Sequence, residues 1–273
     1  IIFKFINMNY LRIGLTGHSG SVGKKILSAY KKSKFLKLIP YKGDIRNKRK
    51  LELWFKRNNL SYMIHLAAIV PIKEVNKNQK KAYAVNYNGT KNIVNLFLKY
   101  NLKWIFFAST SHVYKSSKQK IKETSKLSPI SFYGKTKLMS ERYIKKKIKK
   151  NFCIGRIFSM TNKNQRQNYL IPDLKNKSKL KKKIILKNLN HYRDFVSLDD
   201  ISKIIIILLK KKYRGIINIG TGNATFLKDI AKIIFKKKNK LPIYDDNVNS
   251  TYLVANNQKL KRLIGFKLNT NIN

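Results

Sequence analysis

The sequence predicts an α/β protein: a doubly wound parallel sheet with helices on both faces, followed by a small C-terminal α/β lobe. Three observations point there. From Tyr10 to Phe158, strand-length apolar runs alternate with amphipathic helical stretches, the order that builds parallel strands joined by crossover helices. The first run ends in a glycine-rich turn that opens into a helical pattern. A chain of 273 residues also has room for one substantial core, or for a large domain with a smaller one beside it.

Tyr10 to Leu15 forms the first strand, and Lys24 to Lys32, with Ile26, Leu27 and Tyr30 on one side, the first helix. Between them runs Gly14-Leu15-Thr16-Gly17-His18-Ser19-Gly20-Ser21-Val22-Gly23. Strand, glycine turn and helix together are the context of a dinucleotide-binding fingerprint, although the spacing is G-x-x-G-x-x-G. Gly17 suits the tight turn, Gly20 the approach of a pyrophosphate, and Gly23 close helix packing, with free helix N–H groups facing the anion. A plain tight turn would use the same glycines. Phe35 to Pro40 is the second strand. It ends in Pro40, Tyr41 and Lys42, with no acid for ribose hydroxyls, and Lys42 leans towards a 2′-phosphate. Gly43-Asp44-Ile45-Arg46 then precedes an amphipathic helix carrying Leu51, Leu53, Trp54 and Phe55, which Asp44 is placed to cap.

Ser61 to Leu66 is the third strand, ending in His65-Leu66-Ala67-Ala68, whose small residues let backbone lie close to a ligand. Lys81 to Tyr100 reads as one long helix with an amide-rich face around Asn86. The fourth strand, Trp104 to Ala108, runs into Ser109-Thr110-Ser111-His112-Val113-Tyr114, and hydroxyls just past a parallel strand face the ligand crevice. Tyr133 and Lys137, four apart at the start of a helix reaching about Lys149, share a face. A neighbouring ammonium lowers a phenol's pKa, as a tyrosine acid/base near neutral pH requires. In a lysine-rich chain, a solvated Tyr–Lys pair would show the same spacing. Asn151 to Phe158 is the fifth strand, and Asp199 and Asp200 stand where they would cap the helix beginning near Ile201.

Composition excludes several function classes. The net charge is +49, yet lysines are spread through nearly every segment, with no zinc-finger spacing and no RNA-binding aromatic signature. Nonspecific polyanion binding at low salt is expected, and a specific nucleic-acid partner is not. The longest apolar run, Ile201 to Leu209, is too short for a membrane span and contains Lys203, so no membrane partner is expected. Ile1 to Ile6 is too short for a signal peptide, and Met8 directly precedes the first strand, which makes residues 1–7 an extension or a misplaced start. Cys153 is the single cysteine, which leaves no intramolecular disulfide and fits a buried thiol in a reducing cytoplasm. His18, His65, His112 and His191 are too scattered for a metal site.

The ordered set T-G-H-S-G-S-V-G, G-D-I-R, H-L-A-A, V-N-Y-N-G-T-K-N, A-S-T-S-H-V-Y, Y-G-K-T-K, R-D-F-V-S-L-D-D and I-N-I-G-T-G resembles the extended short-chain dehydrogenase/reductase family of nucleotide-sugar enzymes. It covers residues 11 to about 265. The resemblance implies a Rossmann-type NAD(P)-binding domain over 8–158. It also implies a region 159–273 that is mainly a substrate lobe, with segments near 194–220 returning to the first domain. It places Gly17, Ser19, Gly20, Ser21, Val22 and Gly23 at the pyrophosphate, and Asp44 and Ile45 at the adenine. Leu66, Ala67, Ala68 and Asn86 line the cofactor path. Thr110 would hydrogen-bond the reacting sugar oxygen, Tyr133 exchange a proton with it, and Lys137 hold the nicotinamide ribose and tune Tyr133. Ser111, His112, Ser159, Asn168 and Arg193 fall at substrate positions.

The chain departs from the family pattern at Lys115, where glycine is usual, and at Ser159, where epimerases carry asparagine. Thr110 is followed by Ser111-His112, not by the Asp-Glu of dehydratases, which argues against dehydration. Two activities stay open, a 4-epimerase retaining NAD and a 4-ketoreductase consuming NAD(P)H. The alternative from another class is a catalytically silent regulatory or RNA-associated protein of the same fold. By resemblance, the helices at 81–100 and 132–149 form the four-helix interface of a homodimer.

Overall fold

Helices cover both faces of a six-stranded, wholly parallel sheet in the computed structural model, which describes residues 10–70, 72–162, 169–246 and 249–269. Its strands are β1 (Leu11–Thr16), β2 (Leu36–Pro40), β3 (Tyr62–His65), β4 (Trp104–Thr110), β5 (Phe152–Ile157) and β6 (Gly215–Ile219). They lie side by side as β2-β1-β3-β4-β5-β6. Strand order therefore reverses at β1, with β2 on one side and β3 on the other, and a crevice opens beyond their carboxyl ends.

The helices against this sheet are α1 (Ser21–Ala29), α2 (Lys48–Asn58), α3 (Thr90–Lys99), α4 (Phe132–Lys147) and α5 (Leu198–Lys210). Why β4 is an unbroken apolar run follows from its pleat. Trp104 and Phe106 face one layer, where Ile26 of α1 and Ile201, Ile204, Ile205 and Leu208 of α5 close over Ile13 and Leu15. Ile105 and Phe107 face the other, against Leu51, Phe55, Ile93, Phe97 and Ile144 from α2, α3 and α4. Each such side chain stabilises the fold by roughly 1.5–3 kcal/mol when fully buried, so a strand covered on both faces has no use for polar alternation. This is the α/β architecture predicted from the sequence.

The smaller lobe is built from short pairings. Ile185–Lys187 pairs in parallel with Ile243–Asp245, and His191–Arg193 lies between Thr225–Phe226 and Thr251–Leu253. Leu174, Leu186, Phe195, Ile230 and Phe235 form its core. Asp194, fully buried, ties lobe to sheet: its carboxylate accepts from Thr221 N (2.8 Å), Gly222 N (2.8 Å) and Ala255 N (3.1 Å).

Local details differ from the sequence reading, each for a physical reason. α1 begins at Ser21, not Lys24, because Gly20 already takes the extended cap conformation. The stretch read as one helix from Lys81 to Tyr100 is α-helix at Gln79–Tyr83, π-helix at Ala84–Gly89 and then α3. Asn47, not Asp44, caps α2 by accepting from Lys50 N. Ser197 caps α5, while Asp199 pairs with Lys25 and Asp200 accepts from Asn269 N.

Candidate active site

The glycine turn sits at the strand-order reversal. Gly17 has φ +73°, and a Cβ there would lie 2.6 Å from Ala67 N at the end of β3. A Cβ at Gly23 would collide with the Gly17 carbonyl, so this glycine presses α1 onto the turn. Gly20 is different. It is exposed, and its missing Cβ would meet only the Gly17 carbonyl, at 3.3 Å. It caps α1 without any side-chain hydrogen bond, and Ser19 beside it is exposed, so the N–H groups of the first turn, Ser21, Val22 and Gly23 included, have no side-chain cap. An open helix N-terminus of this kind fits a pyrophosphate.

Behind the turn runs a buried polar chain. Ala67 N–H reaches Thr16 Oγ1 at 3.4 Å, Thr16 Oγ1 meets His65 Nδ1 at 2.6 Å, and His65 Nε2 meets Thr90 Oγ1 at 3.0 Å. Thr90 spends its proton on the Asn86 carbonyl, at 2.6 Å, so Nε2 donates and Nδ1 accepts from Thr16. Burial, helped by the Lys137 charge, pushes His65 down to about 3 and keeps it neutral.

Three residues assigned to the cofactor by resemblance also make contacts within the chain. Asn86 is fully buried and its amide is consumed internally: Oδ1 accepts from Ile69 N (2.8 Å), and Nδ2 donates to Ile69 O (3.0 Å) and Thr136 Oγ1 (3.2 Å). It braces the segment after β3 against α4. Asp44 pairs with Arg46 at 2.5 Å, and that hydrogen bond holds its carboxyl below the usual range. Ile45 turns its side chain into the core under Gly89, and its carbonyl accepts from Asn92 (3.0 Å). Leu66, Ala67 and Ala68 remain at the crevice end of β3, half-buried.

At the end of β4, Thr110 accepts from His112 N at 3.3 Å, and its hydroxyl lies close enough to the Tyr133 phenol to act on its proton affinity. Two features of α4 bring the tyrosine there. Ser131 caps the helix by accepting from Gly134 N at 3.1 Å. Gly134 then presses on the His112 carbonyl, where any Cβ would collide. Lys137, one turn further, is 2% exposed, with its ammonium 4.1 Å above the Phe107 ring. Burial pulls Lys137 down to about 7, against the opposing pull of Glu141. The expected depression of Tyr133 by Lys137 does not occur. Burial pushes the phenol well up, Thr110 draws it partly back, and Tyr169 adds to the rise.

The lobe completes the cluster. Tyr169, at the start of the helix Leu170–Lys179, acts on Tyr133, and the His112 ring lies 6.2 Å from that of Tyr133. Arg193 donates to Tyr192 O (2.8 Å), Thr251 O (3.2 Å) and Thr251 Oγ1 (2.9 Å). Burial draws Arg193 down to about 10, and burial together with the Arg193 charge holds His112 down to about 4. Ser111 is buried beside Thr110. Ser159 gives its backbone N–H to Asp194 O (2.9 Å), and Asn168 lies outside the described residues. Interactions thus link Thr110, His112, Tyr133, Tyr169 and Arg193 in one cluster, with Ser111 beside Thr110 and Lys137 one turn along α4 from Tyr133.

Sequence reasoning passed over Glu141 and Arg156, and read Ser109 only as one of the hydroxyls past the fourth strand. Glu141 and Arg156 form an ion pair at 2.6 Å with both side chains 2% exposed. A signal was present: only 12 acidic residues occur in the chain, one of them four places after Lys137, and Arg156 interrupts an apolar strand.

Comparison with known proteins adds to this geometry. Residues 13–220 match the family model described as the NAD dependent epimerase/dehydratase family. A GDP-6-deoxy-D-talose 4-dehydrogenase from Aggregatibacter actinomycetemcomitans is 24% identical, the match covering 93% of this chain and 92% of that protein. Among solved structures, MoeE5 in complex with UDP-glucose and NAD superposes with a TM-score of 0.83 at 20% identity, over 96% of this chain and 94% of its own. The dTDP-4-dehydrorhamnose reductase of Bacillus anthracis in complex with NADP does so with a TM-score of 0.81 at 18% identity, covering 95% and 94%.

Proposed function

Because the chain belongs to the NAD-dependent epimerase/dehydratase family, whose members include nucleotide-sugar epimerases, dehydratases and reductases, we propose that it is an NAD(P)-dependent nucleotide-sugar oxidoreductase acting at the sugar C4, as a 4-epimerase or a 4-ketoreductase. The observation that carries this is the convergence of Thr110, Tyr133 and Lys137 at the end of β4, beside the open N-terminus of α1.

The nicotinamide cofactor, when bound, supplies or accepts the hydride. Everything else falls to the chain. The uncapped first turn of α1 takes the pyrophosphate. The Lys137 ammonium holds the nicotinamide ribose. Tyr133 keeps its proton on Oη at neutral pH, because burial disfavours the phenolate, and gives it to the C4 oxygen as hydride reaches the carbon. In the opposite direction the phenolate takes the proton back as hydride leaves. Thr110 donates to the same oxygen and steadies its developing charge. Arg193, half-buried on the lobe side, suits the diphosphate of a nucleotide sugar. The end of β2 lacks an acid, and exposed Lys42 there favours NADP. Homodimerisation is part of the same reading: the rings of Tyr83 and Tyr87, in the turns leading into α3, lie together with that of Tyr143 on α4, with successive centroids 5.3 and 6.3 Å apart.

The test mixes purified protein with NADH or NADPH and a panel of UDP-, GDP- and dTDP-sugars, 4-keto forms included, following nicotinamide absorbance and product identity together. Stoichiometric loss of reduced cofactor identifies the ketoreductase. A sugar isomer with no net cofactor change identifies the epimerase. Bound cofactor with no turnover on any member of the panel counts against both and favours the silent alternative.

A further inference from the structure

The carboxylate of Glu141 is the meeting point of three elements. It stands one helical turn beyond Lys137, on the same face of α4. Its Oε2 accepts from Arg156 Nη2 of β5 at 2.6 Å, and its Oε1 accepts from Arg156 Nε at 3.0 Å and from the hydroxyl of Ser109. Ser109 directly precedes Thr110 on β4. Arg156 is anchored in turn, donating from Nη1 to Tyr114 OH (2.8 Å) and Glu123 O (3.0 Å), and the Tyr114 hydroxyl donates to Asn218 of β6 at 2.6 Å.

A buried ion pair is a poor device for stability alone, since apolar residues of the same volume commonly do as well. Its location gives it another use. The Lys137 ammonium stands over the Phe107 ring of β4 and acts on neutral His65 of β3, Tyr133 keeps its proton one turn back on the same helix, and Arg156 of β5 is committed to Glu141. Among the described residues, Glu141 is the anion placed to oppose the desolvation of Lys137.

We propose that Glu141 is a positioning residue of this centre, locking α4 to the end of β4 so that Tyr133 and Thr110 stay in register, and serving as the counter-charge that keeps Lys137 an ammonium. The proposal rests on the reading of Thr110, Tyr133 and Lys137 given above.

The test follows binding of NADH and NADPH by nicotinamide fluorescence from mildly acidic to alkaline pH, which needs no sugar substrate. In the wild type, affinity falls as Lys137 loses its proton, and Lys137→Met abolishes that limb. Glu141→Gln keeps the side-chain shape and moves the midpoint of the limb down by ~1 pH unit. The paired Glu141→Met/Arg156→Met variant leaves no orphaned guanidinium in the core and, folded, moves the midpoint in the same direction but by less, because the opposing charge of Arg156 leaves with the carboxylate. A purely structural ion pair leaves the midpoint in place. An unmoved midpoint in the paired variant, with Lys137→Met still abolishing the limb, overturns the role of Glu141 even if Glu141→Gln moves it, and leaves the catalytic reading standing. A pH dependence indifferent to Lys137→Met brings down both.

Discussion

The hydroxyl of Tyr133 carries the sharpest expectation at the scale of single residues. Tyr133→Phe removes one oxygen and leaves the ring packed, so cofactor affinity and melting temperature stay near wild type while turnover falls about 10²–10⁴-fold, the contribution of a positioned acid. Unchanged turnover would remove Tyr133 from the mechanism. Gly17→Ala acts differently: at φ +73° and 2.6 Å from Ala67 N, the new methyl forces the turn away from β3. Loss of dinucleotide binding and about 1–3 kcal/mol of stability are expected, read by calorimetric titration and denaturant melts. His65 gives a pH signature. Folded, it stays neutral down to about 3, whereas an unfolded histidine protonates near 6.5. The unfolded chain binds the extra proton between those values, so stability drops as pH falls through the window, by up to ~1.4 kcal/mol per unit. His65→Gln should flatten that slope. A slope equal in the two proteins would assign the acid lability elsewhere.

At the scale of elements, legibility followed the distance between cause and effect. Five of the six sheet strands and α5 rest on local signals, uninterrupted apolar runs such as Trp104–Phe107 and Ile204–Leu209, and burial on both faces explains them. By contrast, β6 was legible only by resemblance, as a segment near 194–220 returning to the first domain. Thr110, Tyr133 and Lys137 are singled out by spacing and resemblance, and the packing of Gly134 on the His112 carbonyl holds the start of α4 against the end of β4. The π-turn had no such signal. It depends on Asn86 bonding Ile69, 17 residues earlier, and on Gly89 lying over Ile45. A helical window cannot see either partner, nor the 15-residue separation of Glu141 and Arg156. The π-turn itself makes a prediction. Gly89→Ala drives a methyl into Ile45, and since Asn86 holds α4 as well, the disturbance reaches Thr136 and Tyr133. Stability should fall by about 1–3 kcal/mol and kcat should fall with it. A stability loss with kcat intact would separate the turn from the site.

At the scale of the whole molecule, charge and surface set the expectations. With a net charge of +49, the protein should bind polyanions at low salt and release them steeply as salt rises, and Tyr133→Phe should not alter that curve. The tyrosine cluster formed by the turns before α3 and by α4 makes a separate claim. Tyr87→Glu places a charge among Tyr83, Tyr143 and Lys91 and should shift the proposed dimer to monomer in light scattering, whereas an unchanged mass would locate the interface on another face. The last strand of the sheet has a plainer consequence for anyone shortening the gene. Because β6 is laid along β5 only after the chain has wandered through much of the lobe, a stop codon behind Ile157 would not release a tidy half-protein. It would leave the backbone of Cys153, Ile154 and Gly155 unzipped along one side and strip α5 from above Trp104 and Phe106. The fragment would be an adhesive ribbon, ready to pair with its own copies.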